Sequence, residues 1–230
     1  MRPQGIDLDV VLDAEEVASL VADELVAAAR AGESIVLTGG KSPARAYQLA
    51  AEREGDWRAT SVWWGDERCV PADHQDSNFR LARENLLDRL EAAPHEVHRI
   101  RGELGGAAAA DEYDELLRGV GLGVVLLGLG PDGHVASLYP NEPTLEERRR
   151  RAIRADPKLE PFVERITLTV PTLCSAPVVI FIVTGVEKAD AVARAFAAPA
   201  DRTTPASLVR SASGRTRLVV DAAAASKLAL

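Results

Sequence analysis

Leu122-Gly123-Val124-Val125-Leu126-Leu127 runs directly into Gly128-Leu129-Gly130-Pro131-Asp132-Gly133-His134, and the reading of this junction decides the fold. A short apolar run that stops at a glycine-rich loop reads as a strand buried on both faces, as in a parallel sheet. The loop then places a carboxylate and an imidazole two residues apart, at the strand's end. The same alternation of strand and helix recurs on either side. Asp13-Ala14-Glu15-Glu16 has the form of a capping box, and Val17, Leu20, Val21, Leu25 and Ala28 follow at helical spacing up to a stop at Gly32. Ser34 to Thr38 reads as a second buried strand. Gly39-Gly40-Lys41-Ser42-Pro43 then opens a helix to about Glu54, with Ser42 expected as N-cap and Pro43 at the first helical position.

Thr60 to Trp64 reads as a strand and Gly65 to Asp76 as a polar loop. Ser77 is expected to cap a helix that reaches Leu90. The alanine-rich stretch Ala107 to Arg118 is helical by propensity. Arg165 to Val170 alternates with period two, as in a strand. Pro177 to Thr184 reads as a core strand, Glu187 to Ala197 as a helix, and Arg217 to Val220 as a last strand before a short alanine-rich helix. Glu142 to Pro161, charged and holding three prolines, is the expected irregular excursion. Strands interleaved with helices predict an α/β fold, a doubly wound, mainly parallel sheet flanked by helices, in one domain over residues 1–230.

Composition narrows the partners. A formal net charge of -8 disfavours nucleic acid and anionic membrane, both of which need a positive field. A small anion remains compatible where a few cations converge. Two cysteines, Cys69 and Cys174, make no disulfide framework and point to a reducing, cytoplasmic setting. Met1 to Asp7 lacks the apolar core of a signal peptide, and the longest apolar stretch, Ala176 to Val183, is too short to span a bilayer. The expected state is a monomer or small homo-oligomer.

Ligands of open α/β sheets bind at the carboxyl ends of the strands. Three polar loops follow apolar strands, Gly39 to Ser42, Gly65 to Arg68 and Gly128 to Ser137, and they should meet at one rim. Gly39, Gly40, Lys41 and Ser42 end a strand and start a helix, an arrangement suited to phosphate on exposed amides. The spacing is not that of a nucleotide P-loop. Asp66-Glu67-Arg68 offers acids and a base to a sugar hydroxyl, a phosphate or a developing charge. Asp132 can fix the tautomer of His134. An ordinary imidazole titrates at about 6.5 and is mostly neutral at pH 7, which suits a general base. Arg165 and Lys188 sit where either could reach an anion. His74, His95 and His98 lack ligand spacing, so no metal site is expected. Arg148 to Arg151 reads as a solvated charged face.

The ordered set Gly39-Gly40-Lys41-Ser42-Pro43, Trp64-Gly65-Asp66-Glu67-Arg68, Ser77-Asn78, Gly128 to His134, Arg165 to Thr169 and Gly185-Val186-Glu187-Lys188-Ala189 resembles the 6-phosphogluconolactonases. These belong to the larger group that includes glucosamine-6-phosphate deaminase. The resemblance runs from about residue 7 to 225 and implies a fold of the sugar-phosphate isomerase/deaminase type. Deaminases usually carry Asp-Glu-Tyr where this chain has Asp66-Glu67-Arg68. They usually follow Gly-His with Ile-Ala-Phe-Asn-Glu-Pro, where this chain has Val135-Ala136-Ser137-Leu138-Tyr139-Pro140. Both places resemble the lactonase form, and Tyr139 stands where phenylalanine is commoner.

The resemblance implies hydrolysis of 6-phospho-D-glucono-1,5-lactone, the second step of the oxidative pentose phosphate pathway, with no cofactor. His134, Asp132, Arg68 and Asp66 are then the candidate catalytic residues. Gly39, Gly40, Lys41, Ser42, Arg165 and Lys188 are the candidates for the substrate and its phosphate. Arg68 and the amides near Gly40 or Gly133 are expected oxyanion donors.

Overall fold

The computed structural model describes residues 5–228. Met1 to Gln4, part of the stretch read as lacking a leader, and the last two residues of the expected domain lie outside the described residues. In chain order the elements are β1 (Ile6–Val11), α1 (Ala14–Arg30), β2 (Ser34–Leu37), α2 (Ser42–Arg53), β3 (Ser61–Trp64), β4 (Asp66–Arg68), α3 (Asn78–Asn85), β5 (Glu96–Val97), α4 (Gly106–Leu116), β6 (Val124–Leu127), β7 (Ala152–Ala155), β8 (Arg165–Leu168), α5 (Val170–Cys174), β9 (Val178–Val183), α6 (Ala189–Phe196) and β10 (Arg215–Asp221).

Seven strands form a parallel sheet in the order β1-β10-β9-β6-β2-β3-β5. From β2 the chain builds outward through β3 and β5, then returns to place β6 on the other side of β2. The order reverses between β2 and β6, so the loops leaving these two strands diverge and open a crevice at their carboxyl ends. β2, β3, β6 and β9 are almost wholly apolar and buried because helices cover both faces. α1 turns Val17, Val21 and Leu25 onto this sheet, and each such side chain contributes about 1.5–3 kcal/mol on burial. Asp13 caps α1 by accepting from the Glu15 and Glu16 amides, and Glu16 in turn accepts from the Leu12 amide at 2.9 Å. The expected box therefore closes one residue early.

A second, antiparallel sheet of order β4-β8-β7 was not expected. It corrects the reading of Gly65 to Asp76 as loop: Asp66 to Arg68 is a strand. Arg165 to Leu168 is a strand as expected, but all four residues are buried rather than alternately exposed. Part of the Glu142–Pro161 excursion supplies β7. Both sheets contribute to one hydrophobic cluster, through residues such as Val125, Phe181 and Ile166. Three further readings need correction. The N-cap of α2 is Lys41, with Ser42 already in the helix. The helix after Ser77 ends at Asn85, and Leu87–Arg89 is a separate 3-10 turn. Residues 222–227 form turns rather than the expected closing helix. Asp221 holds the Ala224 amide at 2.7 Å, and a stretch this short gains little by helix nucleation.

Candidate active site

The crevice between β2 and β6 opens into a cleft of about 520 Å³. The three loops expected to converge do so. Gly39 to Ser42, Asp66 with Arg68, and Gly128 to Ala136 all contribute walls, together with Arg165 and Lys188. The sheet geometry explains the selection within Asp66-Glu67-Arg68. Successive strand residues face opposite sides, so Asp66 and Arg68 face the cleft and Glu67 faces away. Glu67 is almost fully buried and accepts from the amides of Arg68, Asn78 and Phe79 and from the Ser77 hydroxyl, at 2.7–2.9 Å. It anchors the N-terminus of α3, where a negative charge is favoured. Burial pushes its carboxyl upward against the pull of these donors.

Arg68 stands directly opposite Arg165 in the β4–β8 register, so the two guanidinium groups share one face. Arg165 is only 4% exposed. Its Nη2 donates to the carbonyls of Leu159, Glu160 and Pro161 at 3.0–3.4 Å, and Arg68 donates to the carbonyl of Asp76. Among the described residues neither is within salt-bridge reach of a carboxylate, and the Nε of each is buried without a partner. Two adjacent cations without a counter-ion suit an anion. Lys188, at the start of α6, adds a third charge. Burial holds its ammonium below the ordinary lysine range, against the pull of Glu187 and Asp132.

His134, paired with Asp132, lines the same cleft. Asp132 Oδ1 lies 2.6 Å from His134 Nδ1 and accepts the His134 amide at 3.1 Å. Nδ1 is thereby the protonated ring nitrogen, and Nε2, without a partner among the described residues, is left to the cleft that the ring lines. Half-burial raises the Asp132 carboxyl, but the hydrogen bonds and charge of His134 outweigh it and hold the group below its ordinary range. The pairing requires glycine at 130: a Cβ there would stand 2.0 Å from His134 Nδ1 and 2.6 Å from Asp132 Oδ1.

The start of α2 carries an unexpected contact. The Ser42 hydroxyl lies 2.8 Å from that of Thr184, which joins the helix to the end of β9. The Gly133 amide, expected as an oxyanion donor, is spent on the Gly130 carbonyl at 2.9 Å. Sequence reasoning missed Thr184 and Asp221 and gave no role to Asn78 or Ser137, although Ser77-Asn78 is one of the quoted motifs and Ser137 lies in a loop expected at the rim. Thr184 directly follows β9 and Asp221 ends β10, so the carboxyl-end rule that marked Gly39 and Gly128 also marks them. Asp221 accepts the Gly185 amide at 3.0 Å and so fixes the turn that carries Lys188. Asn78 fills the space beside Gly39, where a Cβ would meet its Oδ1 at 1.8 Å.

Fold and cleft together define a doubly wound α/β protein whose cleft, at the topological switch point, is shared by a His–Asp pair and a cluster of unpaired cations. Residues 12–218 match the family of glucosamine-6-phosphate isomerases/6-phosphogluconolactonase, and the chain belongs to that family. It is 35% identical over 207 residues to the 6-phosphogluconolactonase of Nostoc sp., with 86% of this chain and 85% of that protein covered. It is 37% identical over 191 residues to a probable chloroplastic 6-phosphogluconolactonase of Oryza sativa, an alignment that covers 74% of this chain but only 58% of that protein's length. The solved 6-phosphogluconolactonase of Trypanosoma brucei superposes with a TM-score of 0.86 at 28% identity, covering 97% of this chain and 99% of that one. Among the described residues no helix is long and apolar enough to cross a membrane.

Proposed function

We infer that this protein hydrolyses 6-phospho-D-glucono-1,5-lactone to 6-phospho-D-gluconate, the second step of the oxidative pentose phosphate pathway, with His134 activating the water. The observation that carries this is the 2.6 Å contact between Asp132 and His134 Nδ1, which leaves Nε2 to a cleft lined by Arg68, Arg165 and Lys188. A lactone is an activated ester, so a positioned base and water suffice and no covalent nucleophile is needed. Nε2 takes a proton as water attacks C1. The ionised Asp132 stabilises the imidazolium that forms. The tetrahedral oxyanion is met by Arg68. The imidazolium then returns its proton to the ring oxygen as the C1–O5 bond breaks, and the product ionises to the carboxylate.

The 6-phosphate fits the start of α2, with Gly39, Gly40, Lys41 and the Ser42 hydroxyl, and takes its counter-charge from Arg165 and Lys188. It supplies the anion that Arg165 lacks. Asp66 also lines the cleft, bonded to Ser137 and Asn78. Two free thiols, Cys69 and Cys174, fit a reducing cytoplasm. The test offers the purified protein 6-phosphogluconolactone and glucosamine-6-phosphate separately. Lactone loss above its spontaneous rate, without ammonia release, is expected. Ammonia release without accelerated lactone loss assigns the cleft to deamination instead.

A further inference from the structure

We propose that Ser137 and Asp66 are positioning residues, a clamp that fixes the His134 loop on the antiparallel sheet; the idea rests on the lactonase reading above. The loop has an unfavourable backbone just after His134. Ala136 has φ +50°, the left-handed region that residues with a Cβ rarely adopt. Such a conformation persists only where its surroundings over-determine it.

The surroundings do so here. Val135 and Leu138 close the turn with two backbone bonds, at 2.9 and 3.3 Å. Ser137, fully buried, is then held twice. Its amide donates to Thr167 Oγ1 at 3.2 Å, and its hydroxyl donates to Asp66 Oδ2 at 2.7 Å. Asp66 and Thr167 are directly opposite each other in the β4–β8 register, so one cross-strand pair grips one residue. The other carboxylate oxygen of Asp66 accepts from Asn78 Nδ2 at 3.1 Å. Upstream, the His134 carbonyl accepts from the Gly130 amide at 2.9 Å. His134 therefore hangs between two fixed points, Gly130 and Ser137. Each oxygen of Asp66 accepts a bond from the protein, and through these bonds its carboxylate braces the loop.

The test measures kcat and KM for lactone hydrolysis by the wild type, Ser137→Ala, Asp66→Asn and the double variant, with calorimetric binding of 6-phosphogluconate alongside. A misplaced catalytic group costs up to ~100-fold. Each single variant should lower kcat by about 10- to 100-fold, with KM and product affinity held within about threefold. The double variant should be no slower than the slower single one, because both remove the same clamp. Full turnover in Ser137→Ala with loss in Asp66→Asn would mean that Asp66 acts on the substrate itself, and would overturn the proposal. So would additive effects, or a rise in KM alone. Should Ser137→Ala fail to fold, Thr167→Val removes the acceptor for the Ser137 amide, together with the Thr167 hydroxyl's own bond to the Leu168 carbonyl; the same fall in kcat is expected, and an unchanged kcat overturns the clamp. The wild-type rate separates the two ideas. An inactive wild type sinks the lactonase reading and the clamp's catalytic purpose with it, whereas an active wild type with equally active variants sinks only the clamp.

Discussion

Replacing Arg165 by methionine keeps most of the aliphatic stem and removes only the charge and its donors. The consequences differ between the empty and the occupied cleft. In the empty cleft, Arg165 is 4% exposed, faces Arg68 and has no carboxylate partner. At ~5 Å, the spacing of directly opposite residues, and an effective dielectric of ~20, Coulomb's law gives about 3 kcal/mol of repulsion as an upper figure. The variant gains this relief and loses the Arg165 bonds to the carbonyls of residues 159–161. The two oppose each other, so the melting temperature without anion should not fall by more than a few degrees. In the occupied cleft, a hydrogen bond to a charged group is worth ~1.5–3 kcal/mol. At tenfold per 1.36 kcal/mol, KM should rise by about 10- to 150-fold while kcat stays within about threefold. Initial rates of lactone loss, calorimetric titration with 6-phosphogluconate and melting curves with and without inorganic phosphate read all three quantities. A fall in kcat at constant KM would move Arg165 into the chemistry. A large loss of stability in the empty protein would show that its charge is already compensated, and would refute the reasoning.

Gly130→Ala forces a Cβ onto the His134–Asp132 contact, 2.0 Å from Nδ1; kcat should fall by about 10- to 100-fold with little change in the far-ultraviolet circular dichroism. The Asp132 carboxyl is held below its ordinary value in the folded protein, so its contribution to stability is present above the unfolded value of about 3.9 and is lost as pH falls through the depressed one. The melting temperature of Asp132→Asn should thus lie below that of the wild type at pH 5 to 7, and the gap should narrow as pH falls below the ordinary carboxylate range; a gap that widened on acidification would contradict the sign of the shift.

The parts of the fold legible in the sequence are those whose burial is two-sided. β2, β3, β6 and β9 announce themselves as apolar runs because helices cover both faces. β1 was not read: Ile6-Asp7-Leu8-Asp9 alternates on an edge strand, where only one side finds a partner. The antiparallel sheet was hidden for a different reason. Its strands are three or four residues long, and Asp66-Glu67-Arg68 is polar throughout. Such a segment becomes a strand through pairing with β8, about a hundred residues downstream, which no local propensity records. The site followed the same division. Each loop at a strand's carboxyl end could be marked in advance, as Gly39, Ser42 and His134 were. The facing of Arg68 and Arg165, the grip of Asp66 on Ser137 and the diversion of the Gly133 amide depend on register and turn geometry. Ser42 illustrates the limit of capping rules. Its hydroxyl forgoes the N-cap and pairs with Thr184, because the residue that follows β9 lies within reach.

The central claim is that His134 Nε2 is the base in lactone hydrolysis. The most direct measurement is the rate of 6-phosphogluconolactone loss, above the spontaneous background, for the wild type and His134→Ala at pH 7. General-base work of this kind contributes ~10²–10⁴-fold. The variant should lose about that factor in kcat while still binding 6-phosphogluconate with near wild-type affinity. A His134→Ala protein that hydrolyses the lactone at the wild-type rate would contradict the account.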